Sequence, residues 1–191
     1  MALGRSGFSE GIFVAILLFM ALEDIRKIKL QKIKELRKAG IDPYPAVSGQ
    51  TSCIRDALGK FEELAESKEK VVLAGRILAR REHGGSVFFD INDGTEKIQA
   101  YLKEDVVGKD DFKSFNEFVD IGDFVEAEGR LFRTKKDEQT IEVLSYRILA
   151  KALLPLPEKW HGLQDVEERF RKRYLDLLMN PVVKEKFVKR S

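Results

Sequence analysis

Phe88, Gln99 and Tyr101 lie in two short runs of alternating apolar and polar residues, Ser86 to Gly94 and Lys97 to Leu102. Side chains alternate across a strand, so each run has two chemically distinct faces. In the first run Val87, Phe89 and Ile91 share one face and Phe88, Asp90 and Asn92 the other. In the second, Ile98, Ala100 and Leu102 oppose Lys97, Gln99 and Tyr101. The wholly apolar sets must line a core, which turns Phe88, Gln99 and Tyr101 outward among polar neighbours. An outward phenylalanine is a platform for an unpaired base, a contact worth about 1–3 kcal/mol. A glutamine amide can bond a base edge, and Arg80 or Arg81 can supply charge or a fork of donors. Together these types suit single-stranded nucleic acid. The pattern leaves two matters open: which of the two arginines faces outward, and whether Phe88 instead packs beneath an N-terminal helix.

Other chemistries find little support. The chain has 191 residues with one cysteine and two histidines. Cys53 excludes an internal disulfide framework and every multi-cysteine zinc site, and reads as a spectator thiol. His83, beside a Gly-Gly turn, faces solvent, and His161 follows Trp160 in a linker; neither has a metal-ligand partner nearby. Glu104, Asp105, Asp110 and Asp111 lack calcium-loop spacing and read as a solvated helix face. There is no phosphate-binding glycine loop and no plausible nucleophile–base pair. No catalytic residue and no metal ligand is assigned.

The elements that must position the outward face follow from period and punctuation. Residues 22–38 read as a helix, with Leu22, Ile25, Ile33 and Leu36 on one stripe and Lys27, Lys34 and Lys38 opposite. Gly40 ends it, and Pro43 and Pro45 make the next stretch an extended connector. Residues 55–67 suggest a second helix. Residues 71–81, 86–94 and 97–102 read as strands, with Asp93-Gly94 as a hairpin signal. Residues 104–119 read as a helix, and residues 124–133 and 140–149 as two more strands. Three meandering strands, a helix and two strands is the order of a five-stranded OB-fold, a Greek-key barrel whose strand 2–3 face commonly binds oligonucleotides. The expected class is β-rich α+β, with the barrel flanked by N-terminal and C-terminal linker helices.

Charge is unevenly spread. The formal net charge is +2, from 34 basic and 32 acidic residues. Residues 21–39 carry +4, residues 40–157 carry −5 and residues 158–191 carry +3. A uniformly basic coat is excluded, so any nucleic-acid contact must use local charge. Arg26, Lys27 and Lys29 form one basic run, which either tracks a phosphate backbone or merely solvates the helix. Residues 11–22 hold no charge, but 12 residues are too few for a bilayer, which needs about 20. No small-residue cleavage site follows them. Residues 1–20 are therefore taken as a hydrophobic extension, translated upstream of the native start or added to it, in preference to a packed helix or a targeting segment.

Beyond this pattern, the sequence from about Leu30 onward resembles class II lysyl-tRNA synthetases, in their N-terminal anticodon-binding part. Lys34 to Pro45 resembles the family's opening helix and its "GI-PYP" connector. Residues 72–81, Phe88, residues 98–101, Asp120 to Asp123 and Gly129 to Lys135 resemble its barrel. The most specific piece is Lys151 to Leu163 with Glu168 to Leu177, which aspartyl and asparaginyl synthetases do not resemble. The resemblance implies that Arg81 contacts the central anticodon base, Phe88 stacks on it and Gln99 reads its edge. Glu138 would lie near a flanking base.

The resemblance also implies a domain plan: an extension over 1–20, a helical region and connector over 21–69, the barrel over 70–150, and over 151–191 a linker and the start of a class II catalytic domain. The family's second and third motifs, its lysine pocket and its Mg²⁺ ligands have no counterpart in this sequence. The implied parent is a cytoplasmic homodimer that activates lysine with ATP and Mg²⁺ and transfers it to tRNA(Lys). The stretch in hand is expected to need no cofactor, to bind the tRNA(Lys) anticodon loop, to enter no membrane and to be inactive in aminoacylation alone. The competing expectations are a free-standing OB-fold that binds single strands without anticodon preference, and a scaffold that binds none.

Overall fold

The computed structural model describes residues 6–156 and 166–190, with only the backbone described for residues 6–19 and Glu168. The stretch around Trp160 and His161 lies outside the described residues. The chain divides into two compact units, one through Leu154 and one from Pro155.

The first unit opens with helix α1, Ser6–Lys38. It starts well before the expected residue 22, because the uncharged run consists of helix-tolerant residues with no proline to stop it. Ile33 and Leu36 are buried on the expected stripe, and Leu22 and Ile25 are half-buried. Lys29 lies on that same stripe and is only 7% exposed, so it cannot serve the basic run proposed from sequence. The Ile41 N–H returns to the Leu36 carbonyl at 2.9 Å and closes the helix.

Two expected helices are each broken in two. Residues 54–67 form α2, Ile54–Gly59, and α3, Phe61–Ser67, divided at Lys60 so that Phe61 turns into the core. The Cys53 sulfur caps α2 by accepting the Asp56 N–H at 3.4 Å. Residues 104–118 form α4, Glu104–Val107, and α5, Lys109–Phe118. Gly108 separates them at φ +90°, a conformation that no continuing helix allows.

Five strands form the barrel: β1 Val71–His83, β2 Ser86–Asn92, β3 Lys97–Lys103, β4 Phe124–Arg133 and β5 Gln139–Ala150. They close in the order β1-β2-β3-β5-β4, with β3 and β5 parallel and the other pairs antiparallel. This is the OB-fold expected from the strand order. The predicted inward sets hold: Val87, Phe89, Ile91, Ile98, Ala100 and Leu102 are each at most 2% exposed. Leu36 of α1, Ile54 of α2 and Phe115 of α5 join this core.

β1 serves two neighbours. Residues 71–76 pair with β4 and residues 76–83 with β2, and the register slips between Ile77 and Ala79. At the slip, Ile77 donates to the Asp123 carbonyl and accepts from the Gly122 N–H, both at 2.8 Å. Asp123 is in turn held by the buried ammonium of Lys151, and its second oxygen accepts the Ala152 N–H at 2.8 Å. Lys151 also meets Asp120 at 2.9 Å and the Phe118 carbonyl, while Lys32 of α1 reaches Asp120 at 2.7 Å. Burial pushes the Lys29 ammonium below its usual value, against the attraction of Asp123 and Asp120.

The second unit contains α6 Val166–Arg171, α7 Arg173–Met179 and α8 Pro181–Val188. Asp176 is buried there and accepts from Arg169 at 2.9 Å, from Arg173 at 2.6 Å and from Asn180 at 2.6 Å. Arg173 also lies over the Phe170 ring, 4.7 Å from its centroid. The basic cluster at residues 169–173 is thus used in part for internal packing.

Two stability predictions arise here. A Cβ on Gly129 would collide with the Glu142 carbonyl across the β4–β5 ladder and approach Ile141 Cγ1 to 2.8 Å. Gly129→Ala should therefore lower the unfolding free energy by about 1–3 kcal/mol in urea melts. An unchanged midpoint would contradict this reading of the barrel's closest approach.

The second concerns acid. Burial favours the neutral form of Asp120, but hydrogen bonds from Lys32 and Lys151 outweigh it and hold the carboxyl below its usual value. A folded value below the unfolded one, near ~3.9, gives stability that is present above that value and lost as pH falls through the folded one. Melts across pH should stay level down to about pH 5 and decline below about pH 4. The decline should be smaller in Asp120→Asn; an equal decline would place the acid sensitivity elsewhere.

Candidate nucleic-acid interface

The slip in β1 decides which arginine faces outward. Uninterrupted alternation from the buried Leu73 and Ile77 would carry Arg81 inward and Arg80 outward. The extra residue reverses this: Arg80 stands opposite the inward Phe89, and Arg81 opposite the outward Phe88. Arg80 is consumed by the fold, its side chain only 11% exposed. It donates to the Val119 carbonyl at the C-terminus of α5, to Asn116 Oδ1 at 2.6 Å and to Glu82 at 2.8 Å. A cation there complements the helix dipole. Arg81 is exposed and forms no ion pair among the described residues.

Across the outer face, Arg81, Phe88, Tyr101 and Glu142 stand opposite one another on β1, β2, β3 and β5. The half-buried Phe88 and Tyr101 rings stack, with centroids 4.6 Å apart and planes 29° from parallel. Tyr101 also meets Phe132 of β4 at 6.2 Å. One side of Phe88 is thus backed by an aromatic row. The backing limits the ring's freedom, which lowers the entropy lost when a base stacks on it.

The next row is polar on three strands: Asp90, Gln99 and Thr140 stand opposite one another, with Ala79 at the β1 end. Gln99 is less open than its outward position suggests, at 6% exposed. Its Nε2 donates to Glu138 Oε2 at 2.9 Å and its Oε1 accepts from the Thr140 hydroxyl at 3.2 Å. Glu138 is presented by a tight turn between β4 and β5, closed by Thr134 N–H to the Glu138 carbonyl at 3.0 Å and Asp137 N–H to the Thr134 carbonyl at 2.9 Å. Lys97 covers the Asp90 carboxylate at 3.2 Å, removing a negative charge from the row. Lys135 and Lys136 stand exposed in the turn.

All four residues expected at the site, Arg81, Phe88, Gln99 and Glu138, therefore meet on one face of the barrel. Two further residues of this face were missed. Phe132 could have been found by alternation, since its neighbour Leu131 is buried. Thr140 could not, because only the parallel β3–β5 pairing brings it to Gln99. Among the described residues no group of three or more His, Cys, Asp or Glu side chains could hold a metal ion. Among them, too, no helix is long and apolar enough to cross a membrane.

Comparison with known proteins agrees with this geometry. Residues 71–149, the whole barrel within two residues, match the tRNA anti-codon family, described as an OB-fold nucleic acid binding domain. A lysine–tRNA ligase from Carboxydothermus hydrogenoformans is 46% identical over 170 residues, which is 89% of this chain and 34% of that protein. One from Pelotomaculum thermopropionicum is 44% identical, again over 89% of this chain and 33% of the relative. One from Thermotoga maritima is 44% identical over 88% of this chain and 34% of its own length. The chain thus spans about a third of the length of the curated relatives it matches. Residues 71–149 match the tRNA anti-codon OB-fold domain, and about nine-tenths of this chain is similar to the corresponding third of lysine–tRNA ligases.

Proposed function

We propose that the outer face of β1–β3 binds the anticodon loop of tRNA(Lys). Phe88 stacks on the central anticodon base, Arg81 contacts it from β1, Gln99 bonds its edge, and Glu138 borders a flanking base. The observation that carries this reading is the placement of an exposed, unpaired Arg81 directly opposite Phe88, one row from the Gln99 amide. Lysine anticodons are rich in uridine. Uracil stacks weakly, so edge hydrogen bonds from Arg81 and Gln99 supply most of the discrimination, and Phe88 supplies most of the sequence-tolerant affinity.

The chain is read as the anticodon-binding part of a class II lysine–tRNA ligase, with residues from 151 onward leading into the catalytic domain. The full-length protein would be a cytoplasmic homodimer that activates lysine with ATP and Mg²⁺ and transfers it to tRNA(Lys). The residues described here are read as the anticodon-binding part of that protein. Their part is to hold the tRNA by its anticodon, and this stretch alone is expected not to aminoacylate.

The test is fluorescence anisotropy at fixed salt with two labelled stem-loops, one bearing the lysine anticodon and one the aspartate anticodon. The lysine loop should bind more tightly. Equal binding would reduce the chain to a general single-strand binder, and no binding by folded protein would remove the assignment. Phe88→Ala should weaken the lysine loop by about 1–3 kcal/mol; unchanged affinity with an intact fold would sink the stacking role.

The two arginines should separate cleanly. Arg81→Ala should weaken the loop without moving the thermal midpoint. Arg80→Ala should lower the midpoint through lost hydrogen bonds at the end of α5, each worth about 1.5–3 kcal/mol for a charged donor. The opposite pattern would reverse their roles.

A further inference from the structure

We propose that Glu138 and Thr140 are positioning residues: they fix which way round the Gln99 amide lies, and that orientation makes the site choose a uracil edge over a cytosine edge. The inference rests on the anticodon-binding reading and names how that site discriminates.

The argument starts from the donors and acceptors. An ionised carboxylate only accepts hydrogen bonds, a hydroxyl does either, and an amide has a distinct donating and accepting end. Glu138 Oε2 lies 2.9 Å from the Gln99 amide at one end, and Thr140 Oγ1 lies 3.2 Å from the other. The carboxylate admits only the NH₂ end, because a turned amide would set its carbonyl oxygen against a negative oxygen. The carbonyl then faces Thr140, so the hydroxyl must donate to it. The same hydroxyl also lies 3.1 Å from the Glu138 carbonyl. With one proton it can serve only one of the two acceptors at a time, and the Gln99 orientation selects which. Gln99 and Thr140 are 6% and 0% exposed, so water cannot readily replace the contact between them.

The consequence is a fixed order of groups. The two bonds use one amide proton and one carbonyl lone pair, leaving one N–H and one lone pair for a ligand. Uracil presents a donor at N3 and an acceptor at the adjacent carbonyl. Cytosine presents the reverse, an acceptor at N3 and a donor at its amino group. A freely turning glutamine would satisfy either base. A glutamine held one way round satisfies one and sets donor against donor with the other. Thr140 stands at Gln99 because β3 and β5 pair in parallel there, and the tight turn at residues 134–138 delivers Glu138 to the amide's other end.

The experiment uses the full chain and two stem-loops that differ only in uracil or cytosine at the central anticodon position. Affinities are measured by anisotropy at fixed salt for the wild type, Thr140→Val, Thr140→Ser and Glu138→Gln, with circular dichroism melts to establish folding. Thr140→Val keeps the shape and removes the donor; Glu138→Gln replaces an obligate acceptor with a group that also donates. The preference for uracil should fall by about five- to tenfold in both, the range of one net hydrogen bond, and return in Thr140→Ser. Equal weakening of both loops at an unchanged ratio would overturn the proposal and leave the pair as mere support. So would a serine variant no better than valine. A wild type without any uracil preference would overturn the anticodon reading as well, whereas a preference that survives in folded variants overturns only the orientation mechanism.

Discussion

The buried contact between Lys151 and Asp123 anchors a chain of dependence that ends at the ligand face. Neither side chain has any exposed surface. Burying two charges is tolerated only with close pairing and satisfied hydrogen bonds, and both conditions hold. Asp123 receives the lysine, the Asp120 N–H at 2.7 Å and the Ala152 N–H at 2.8 Å. That locks the turn before β4, and the same turn bonds Ile77 through Gly122 and Asp123. Ile77 sits at the slip in β1. Without the slip, Arg80 and Arg81 would exchange faces, so the slip decides which guanidinium stands beside Phe88 and which is spent at the end of α5. A charge pair at one end of the barrel thereby fixes the sidedness of a strand whose other end carries the site.

The same cluster explains why α1 stays docked. Lys32 reaches Asp120 from the helix while Ile33 and Leu36 insert beside it. Lys29 is drawn under by its position on the apolar stripe, with its head near Asp120 and Asp123. Two carboxylates therefore meet three ammonium groups, one of them held below its ordinary titration value by burial. Lysines on a nominally basic helix are divided between docking and solvent by helical phase, not by their number.

Much of this was legible from residue types. Strand alternation separated Val87, Phe89 and Ile91 from Phe88, and it placed Gln99 and Tyr101 outward, because a two-residue period survives wherever the pleat is regular. It failed where the pleat is irregular. The slip between Ile77 and Ala79 is set by a turn some 45 residues later, and nothing local to Arg80 and Arg81 reveals it. Helix breaks at Lys60 and Gly108 were missed because the apolar spacing runs through them. The burial of Gln99 was missed because Glu138 and Thr140 come from the far side of a parallel pairing, and long-range partners leave no periodic trace.

Electrostatics argues for contact-by-contact recognition over bulk attraction. The residues from 40 to 157 carry a net charge of −5, so this region does not draw a polyanion by its overall field. The outer face manages its own acids instead. Asp90 is covered by Lys97, and Glu138 is committed to Gln99. What remains unpaired is of both signs: Arg81 at the rim and Lys135 and Lys136 in the turn, with Glu142 in the outer row and Glu138 bonded only to a neutral amide. A face of this kind gains little from long-range steering, which salt screens within about 10 Å at ordinary ionic strength. On the proposed reading it gains more from short contacts, where a held ring, a held amide and one free guanidinium would meet a base at fixed places. Such contacts lose their value when the base is wrong, since a buried donor facing a donor forfeits its bond and its hydration together. On that reading, the rigidity begun at Lys151 and Asp123 is what would convert modest individual contacts into discrimination.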